Sequence, residues 1–145
     1  QSATPRLAKL YLVSRLQFLK LQNKLLVIAF VIGLGGIVGS YLLGEWVLTV
    51  FYNEEYQGYG GLFVWVMTGA MMMYCSTVVG CGLTAMRSFK IQSWLSLVVI
   101  SIVAGVSLYS IPILGLSGGA IAILLAYSVK FLLAYGLMYS KLKGA

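Results

Sequence analysis

Residues 25–44 read LLVIAFVIGLGGIVGSYLLG and contain no charged side chain. A helix needs about 20 apolar residues to cross a bilayer core of about 30 Å, and this stretch supplies 20 positions. Backbone N–H and C=O groups in lipid must be paired within their own segment, so such a stretch forms a helix. Residues 25–44 therefore predict a transmembrane helix.

Three further stretches of the same kind follow at 62–86, 91–114 and 116–140, and Lys130 is the only charge within them. The chain has 145 residues, of which 61% are hydrophobic and 9% charged, whereas a soluble domain carries roughly a quarter charged residues. This composition excludes an ordinary soluble enzyme and a disordered chain. The sequence predicts an all-α membrane protein with four transmembrane helices.

The charges between the spans alternate along the chain. Five Lys or Arg precede the first span, two lie between the second and third, and two follow the fourth, whereas the other two connections contain none. The three acidic residues, Glu45, Glu54 and Glu55, all lie between the first and second spans. Basic connections stay on the cytoplasmic side, so this alternation supports four spans and predicts that both termini are cytoplasmic. Aromatic residues typical of membrane interfaces flank the spans: Trp46, Tyr52, Tyr56, Tyr59, Trp65, Trp94, Tyr109 and Tyr139.

Residues 1–24 form a basic segment ahead of the first span. At helical spacing one side carries Arg6, Lys9, Gln17, Lys20 and Lys24, and the other carries Leu7, Leu10, Tyr11, Phe18 and Leu21. This pattern predicts a basic amphipathic cytoplasmic helix. Its basic face is either a solvated surface attracted to anionic lipid or part of an entrance for an anionic substrate. Because the chain starts at Gln1 without a signal peptide, we expect it to be cut from a longer protein.

Small residues recur at the spacing that lets membrane helices approach closely. Gly35 and Gly39 lie four apart in the first span, with Gly36 and Ser40 beside them. The second span has such a line at Gly69, Ser76, Gly80 and Thr84, and the fourth at Gly118, Ala122, Ala126, Lys130 and Ala134. The lines in the first two spans predict helix packing.

Lys130 interrupts the line in the fourth span, 14 residues after the first residue of the span and 10 before the last. An ammonium at mid-membrane costs about 2.5–3.5 kcal/mol on insertion scales. Its small neighbours place it towards protein or a wet cavity. It is either a structural Lys paired with a carbonyl or with a carboxylate outside this chain, or a substrate contact. The second reading is favoured because intramembrane ionisable residues mark transport pathways.

The remaining composition excludes most catalytic chemistry. The chain has no His and no Asp, which removes most acid–base catalysis and metal binding. Cys75 and Cys81 do not share a helical face and are expected to be small apolar residues of the interior. We therefore expect no enzyme activity, no metal, no cofactor and no nucleic acid partner.

Several short motifs occur in a suggestive order. They are Pro5-Arg6-Leu7-Ala8-Lys9, Phe51-Tyr52-Asn53-Glu54-Glu55-Tyr56, Thr84-Ala85 followed by Arg87 and Lys90, and Ile111-Pro112 followed by Gly115 and Gly118-Gly119-Ala120-Ile121-Ala122. In this order they resemble the C-terminal part of bacterial polysaccharide flippases. Those belong to the multidrug, oligosaccharidyl-lipid and polysaccharide exporter superfamily. The resemblance covers nearly the whole chain.

The resemblance implies the last four helices of a twelve-helix, two-lobe transporter in a bacterial inner membrane. It implies movement of a lipid-linked oligosaccharide, carried on an isoprenoid pyrophosphate, from the inner to the outer leaflet by alternating access. The partner would be the N-terminal lobe of the same chain, which shares a cationic cavity with this part. Lys130 is then the candidate substrate contact, with Arg87 and Lys90 near the cytoplasmic mouth.

Two alternatives remain open at this point. One is a multidrug cation exporter of the same superfamily, which would need acidic residues in its cavity. The other is a small self-associating four-helix membrane protein, structural or pore-forming.

Overall fold

The computed structural model describes residues 3–51 and 60–144. These residues are almost entirely α-helical, and no β-strand occurs among them. The helices are α1 (Ala3–Val13), α2 (Arg15–Phe51), α3 (Gly60–Ala85), α4 (Phe89–Leu114) and α5 (Leu116–Gly144). The last four are long and apolar enough to cross a bilayer, α2 through its part Arg15–Gly44. The predicted all-α, multi-pass membrane fold is therefore confirmed.

The basic segment 1–24 differs from the single separate helix that was predicted. α1 ends at Val13 and α2 begins at Arg15, so residues 15–24 continue directly into the first span. Hydrogen bonds cross the junction, because Ser14 N donates to Leu10 O at 2.8 Å and Phe18 N donates to Ser14 O at 3.0 Å. The residues after Ser14 are thus the first turns of the membrane helix.

The predicted two-sidedness of this basic segment is confirmed. Leu7 and Phe18 are fully buried and join a core cluster with Val79, Leu83 and Met138. The line of basic residues and Gln17 is exposed along its whole length: Arg6, Lys9, Gln17, Lys20 and Lys24. The apolar side of α1 therefore covers one end of the long helices, and the charged side faces outward.

The four long helices form a bent row in the order α2, α3, α5, α4. α3 packs along α2 on one side and along α5 on the other, and α4 packs along α5 but contacts α3 much less. α1 lies against α2 and α3. Large apolar side chains such as Leu42 and Leu108 are exposed on the row, as expected of helices that face lipid or further membrane helices.

α2 approaches α3 through Gly33 and, of the small residues predicted to pack, through Gly36 and Ser40: a Cβ added at Gly36 would lie 3.9 Å from Met67 Sδ, and Ser40 is buried. Within the described chain, Gly35 and Gly39 do not contact α3. A Cβ added at Gly33 would lie 2.7 Å from Met71 Cβ, whereas one added at Gly35 or Gly39 would meet nothing within 4 Å. Gly35 lies about 160° and Gly39 about 120° around the helix from Gly33, because each residue advances by about 100°. The face of α2 that contacts α3 carries buried Gln22, Ala29, Gly33, Ser40 and Gly44.

The turn between α4 and α5 needs two glycines. Gly115 has φ 61° and ψ −138°, a conformation that residues with a Cβ rarely adopt. A Cβ added at Gly118 would lie 2.5 Å from the carbonyl carbon and oxygen of Ser110. The two helix backbones therefore touch at this position, which closes a tight hairpin.

The flanking basic residues gather at one end of the row, which we call the basic end. There Arg15 Nη1 donates to Leu142 O at 3.1 Å, and Lys141 Nζ donates to Ser88 Oγ at 2.9 Å. These bonds join the start of α2, the α3–α4 turn and the end of α5. This clustering at one end is the arrangement that the alternation of charges requires.

The interfacial aromatic residues fall into two groups. The described ones, which are Trp46, Trp65, Trp94, Tyr109 and Tyr139, are all exposed. The others lie outside the described residues, together with two of the three acids: Tyr52, Glu54, Glu55, Tyr56 and Tyr59.

Candidate functional site

Lys130 lies in the middle of α5, on the packed side of the helix. It is half-buried, and Ala126 and Ala134, one turn before and after it, are 0% and 1% exposed. Leu132, on the opposite side of the helix, is 68% exposed. The expectation that Lys130 faces protein rather than lipid thus agrees with the burial of its neighbours.

The ammonium of Lys130 sits beside an aromatic ring. Its Nζ lies 5.6 Å from the ring centroid of Tyr127, one turn earlier on α5. A cation at this distance is attracted by the negative face of the ring. Among the groups that the structure describes, the contact given for this ammonium is the Tyr127 ring. An anion that reached the ammonium could replace this contact with the ring.

The register of α3 against α5 shows what lies opposite Lys130. The two helices run in the same direction, and a Cβ added at Gly69 would lie 3.4 Å from Ile123 Cγ2. Seven residues further along each helix, which is about two turns, come Ser76 and Lys130. Further still, Leu83 and Met138 belong to one core cluster, which is consistent with this register. Ser76 therefore lies at the depth of Lys130.

A polar contact joins α3 to α4 nearer the basic end. Thr84 Oγ1 lies 3.0 Å from Gly80 O and 2.7 Å from Gln92 Oε1. A hydroxyl carries one proton, so it cannot donate to both oxygens. With the Gln92 amide turned by 180°, its NH₂ donates to Thr84 and the hydroxyl donates to Gly80 O, which pairs all three groups. This contact joins α3 to α4 close to the turn between them.

Gln22 links α2 to α3 on the other side. Its side chain is fully buried, and Nε2 donates to Val78 O at 2.8 Å. A Cβ added at Gly82 would lie 2.9 Å from Gln22 Oε1, so this glycine makes room for the amide. Neither Gln22 nor Gln92 was predicted from the sequence to have a role. An amide close to or within an apolar span was the signal that could have identified them.

Arg87 and Lys90 lie at the basic end, and both are exposed. Arg87 follows the end of α3 with φ 55°, a left-handed conformation usually taken by glycine. Arg87 N donates to Thr84 O at 2.9 Å and Ser88 N to Leu83 O at 3.0 Å, the bond pattern of a Schellman helix end.

The structure does not bring the three predicted site residues together. Lys141, which contacts the α3–α4 turn, lies three turns beyond Lys130 on α5, a distance of roughly 16 Å along the axis. Arg87 and Lys90 thus belong to a basic surface at the end of the row, whereas Lys130 is a separate cation deep within it. A ligand that reached Lys130 from the basic end would first pass these exposed charges.

Comparison with known proteins gives one distant relative. No protein family matches the chain, and no solved structure gives a significant match. The capsular polysaccharide biosynthesis protein CapF of Staphylococcus aureus is 25% identical over 139 residues, which cover 95% of this chain and 35% of CapF. The chain thus spans about a third of the length of this relative, and the likeness runs along nearly all of the helices described above.

Proposed function

We propose that this chain is part of a transporter that moves a lipid-linked oligosaccharide from the inner to the outer leaflet of a bacterial plasma membrane, for surface polysaccharide synthesis. The half-buried ammonium of Lys130 at the middle of a membrane helix carries this proposal. The likeness to CapF, which is named for capsular polysaccharide biosynthesis, supports the same pathway.

The substrate class follows from the charge of the site. An isoprenoid pyrophosphate must carry its negative charges across hydrocarbon, where an ion loses its hydration. Lys130 replaces part of that hydration at mid-membrane, and Arg87 and Lys90 attract the pyrophosphate to the basic end. A negative interior favours outward movement of an anion by about 2.3 kcal/mol per charge per 100 mV.

The open row of helices fits one lobe of such a transporter. α2 and α4 occupy the two ends of the row, and much of their apolar surface is exposed. We infer that a second lobe in the remainder of a longer chain lies against this one. Two related lobes that rock about a site near the midplane give alternating access. The basic end is the cytoplasmic end in this arrangement.

The multidrug cation exporter is the weaker alternative. A cationic substrate would be repelled by Lys130, and no acidic residue occurs in α3, α4 or α5. The charge within the row therefore favours an anionic cargo.

Replacing Lys130 tests the proposed function. In the full-length protein, we expect Lys130→Ala to lower surface polysaccharide strongly and to trap lipid-linked oligosaccharide on the cytoplasmic side. Protein abundance should stay equal or rise, because removing the charge saves about 2.5–3.5 kcal/mol of insertion cost. Surface polysaccharide and protein abundance are both measured in a strain that carries only the variant gene.

The matched control is Lys143→Ala, which removes a charge from the exposed end of the same helix. It should leave surface polysaccharide near the wild-type amount. Normal polysaccharide in the Lys130→Ala strain at equal abundance would make Lys130 a structural residue and remove the basis of the proposal.

A further inference from the structure

Ser76 is a buried hydroxyl without a partner. Its side chain is 0% exposed, and among the described residues its Oγ makes no hydrogen bond. An unpaired polar atom in the interior is unfavourable, and native proteins retain few of them. A membrane interior offers no water in which such a group is paired. The presence of Ser76 at this position therefore needs a reason other than stability.

The other hydroxyls of the membrane helices show that pairing is readily available. Seven of them donate to the carbonyl oxygen four residues earlier in their own helix: Thr68, Thr77, Thr84, Ser93, Ser96, Ser101 and Ser128. Ser76 could do the same towards Met72 O, and it does not. Its hydroxyl is thus left for a partner beyond its own helix.

The position of Ser76 indicates where that partner would lie. Ser76 is on the face of α3 that carries Gly69, which contacts Ile123 of α5. By the same register Ser76 lies at the depth of Lys130, whose ammonium rests on the Tyr127 ring. A hydroxyl and an ammonium therefore lie at the same depth, one on each side of the seam between α3 and α5. Both are donors, so neither satisfies the other, and both suit the same kind of ligand.

We propose that the Ser76 hydroxyl and the Lys130 ammonium form a subsite for an anionic oxygen of a phosphate group, in the seam between α3 and α5. This inference rests on the proposed function, since it assigns a second residue to the point where the pyrophosphate passes mid-membrane. Lys130 exchanges the Tyr127 ring for the anion and supplies the opposite charge. Ser76 donates one hydrogen bond to the same oxygen and fixes its position.

Small residues flank the two residues of this subsite. Gly80 follows Ser76 by one turn on α3, and Ala126 and Ala134 flank Lys130 on α5. Lys130 is half-buried, so the anion approaches from the side on which the ammonium is still accessible. Ser76 closes the inner side of the subsite.

The test uses the purified full-length protein and inorganic pyrophosphate as the probe. A ligand that binds the folded state raises the unfolding temperature in a concentration-dependent manner. Because the exposed Lys and Arg residues of the basic end should also bind pyrophosphate, the relevant quantity is the portion of the rise in unfolding temperature that Lys130→Ala abolishes. We expect Ser76→Ala to need a tenfold to hundredfold higher pyrophosphate concentration for the same Lys130-dependent rise in unfolding temperature. This factor corresponds to the loss of one hydrogen bond to a charged group.

Two further readouts separate this role from a structural one. Without pyrophosphate, Ser76→Ala should unfold at the wild-type temperature or above it, because an unpaired buried hydroxyl has been removed. Ser76→Thr, which keeps the hydroxyl, should restore the pyrophosphate response. The control is Thr77→Ala, the neighbouring residue, which is exposed and already bonded to Met73 O; it should respond as the wild type does.

The outcomes distinguish this inference from the proposed function. The subsite is wrong if Ser76→Ala keeps the wild-type response, if it lowers the unfolding temperature without ligand, or if Lys130→Ala removes no part of the wild-type response. Each of these results leaves the transport proposal standing so long as Lys130→Ala abolishes polysaccharide export. Normal export by Lys130→Ala overturns the transport proposal itself.

Discussion

Gly118 is the residue at which the absence of a side chain matters most. α4 and α5 meet there backbone to backbone, and a Cβ would lie 2.5 Å from the Ser110 carbonyl and 2.9 Å from Ile111 N. A flexible side chain could move away from such a contact, but a helix backbone moves only as a whole. Gly118 thus sets how closely the two helices can approach beside their turn.

Gly118→Ala should therefore destabilise the protein by about 1–3 kcal/mol, the usual cost of overpacking a tight contact. Gly119→Ala is the control, because an added Cβ there meets nothing within 4 Å, and alanine favours helix by about 1 kcal/mol over glycine. Unfolding of the two purified variants in a denaturing detergent measures the difference. Equal stability of the two would show that α4 and α5 are not in backbone contact at Gly118.

At the scale of the helix, α2 and α3 pack where glycine removes the barrier to close approach. Gly33 lets α2 reach Met71, and Gly82 lets α3 accept the buried amide of Gln22. Each helix contributes one glycine, and each glycine makes room for a side chain of the other helix. The interface is thus closely packed and is also held by a side-chain hydrogen bond.

Gly33→Ala should weaken the α2–α3 interface by about 1–3 kcal/mol through the clash with Met71. Gly35→Ala, two residues away on the open side of α2, should have less than half that effect. The measurement is again the detergent unfolding midpoint of the full-length variants. A larger loss in Gly35→Ala would mean that this side of α2 carries the tighter contact in the whole protein.

The number of spans and their alternating direction could be predicted because hydropathy and charge are local properties of the sequence. Lys130 could be placed at mid-membrane by counting residues along one helix. The packing face of α2 could not be predicted, since Gly33, Gly35 and Gly39 are chemically identical and tertiary contact alone distinguishes them. The juxtaposition of Ser76 with Lys130 depends on the register between two helices 54 positions apart, which no local pattern fixes.

At the scale of the whole chain, the basic residues gather at one end of the row. Nine of the ten basic residues lie at the basic end, in or beside α1, the start of α2, the α3–α4 turn and the end of α5. The exception is Lys130. Such a division orients a membrane protein with its basic end inside.

Labelling of engineered cysteines tests that orientation. In a background with Cys75→Ala and Cys81→Ala, we expect Lys90→Cys to react with an impermeant maleimide only after the cells are permeabilised. Leu116→Cys, an exposed position at the other end of the row, should react in intact cells. The reverse pattern would place the basic end outside and contradict the direction of transport proposed above.

The order of helices in the row differs from their order in the chain, and this has a consequence for synthesis. α4 leaves the ribosome before α5, yet α5 is its main neighbour and α3 contacts it little. α4 therefore enters the bilayer before its main neighbour, α5, has been synthesised. Its hydroxyls at Ser93, Ser96 and Ser101 are already paired within the helix, which lowers the cost of exposing this part of α4 to lipid before α5 arrives. The tight hairpin at Gly115 then delivers α5 to both α4 and α3, which makes the last helix to be translated the one that completes the row.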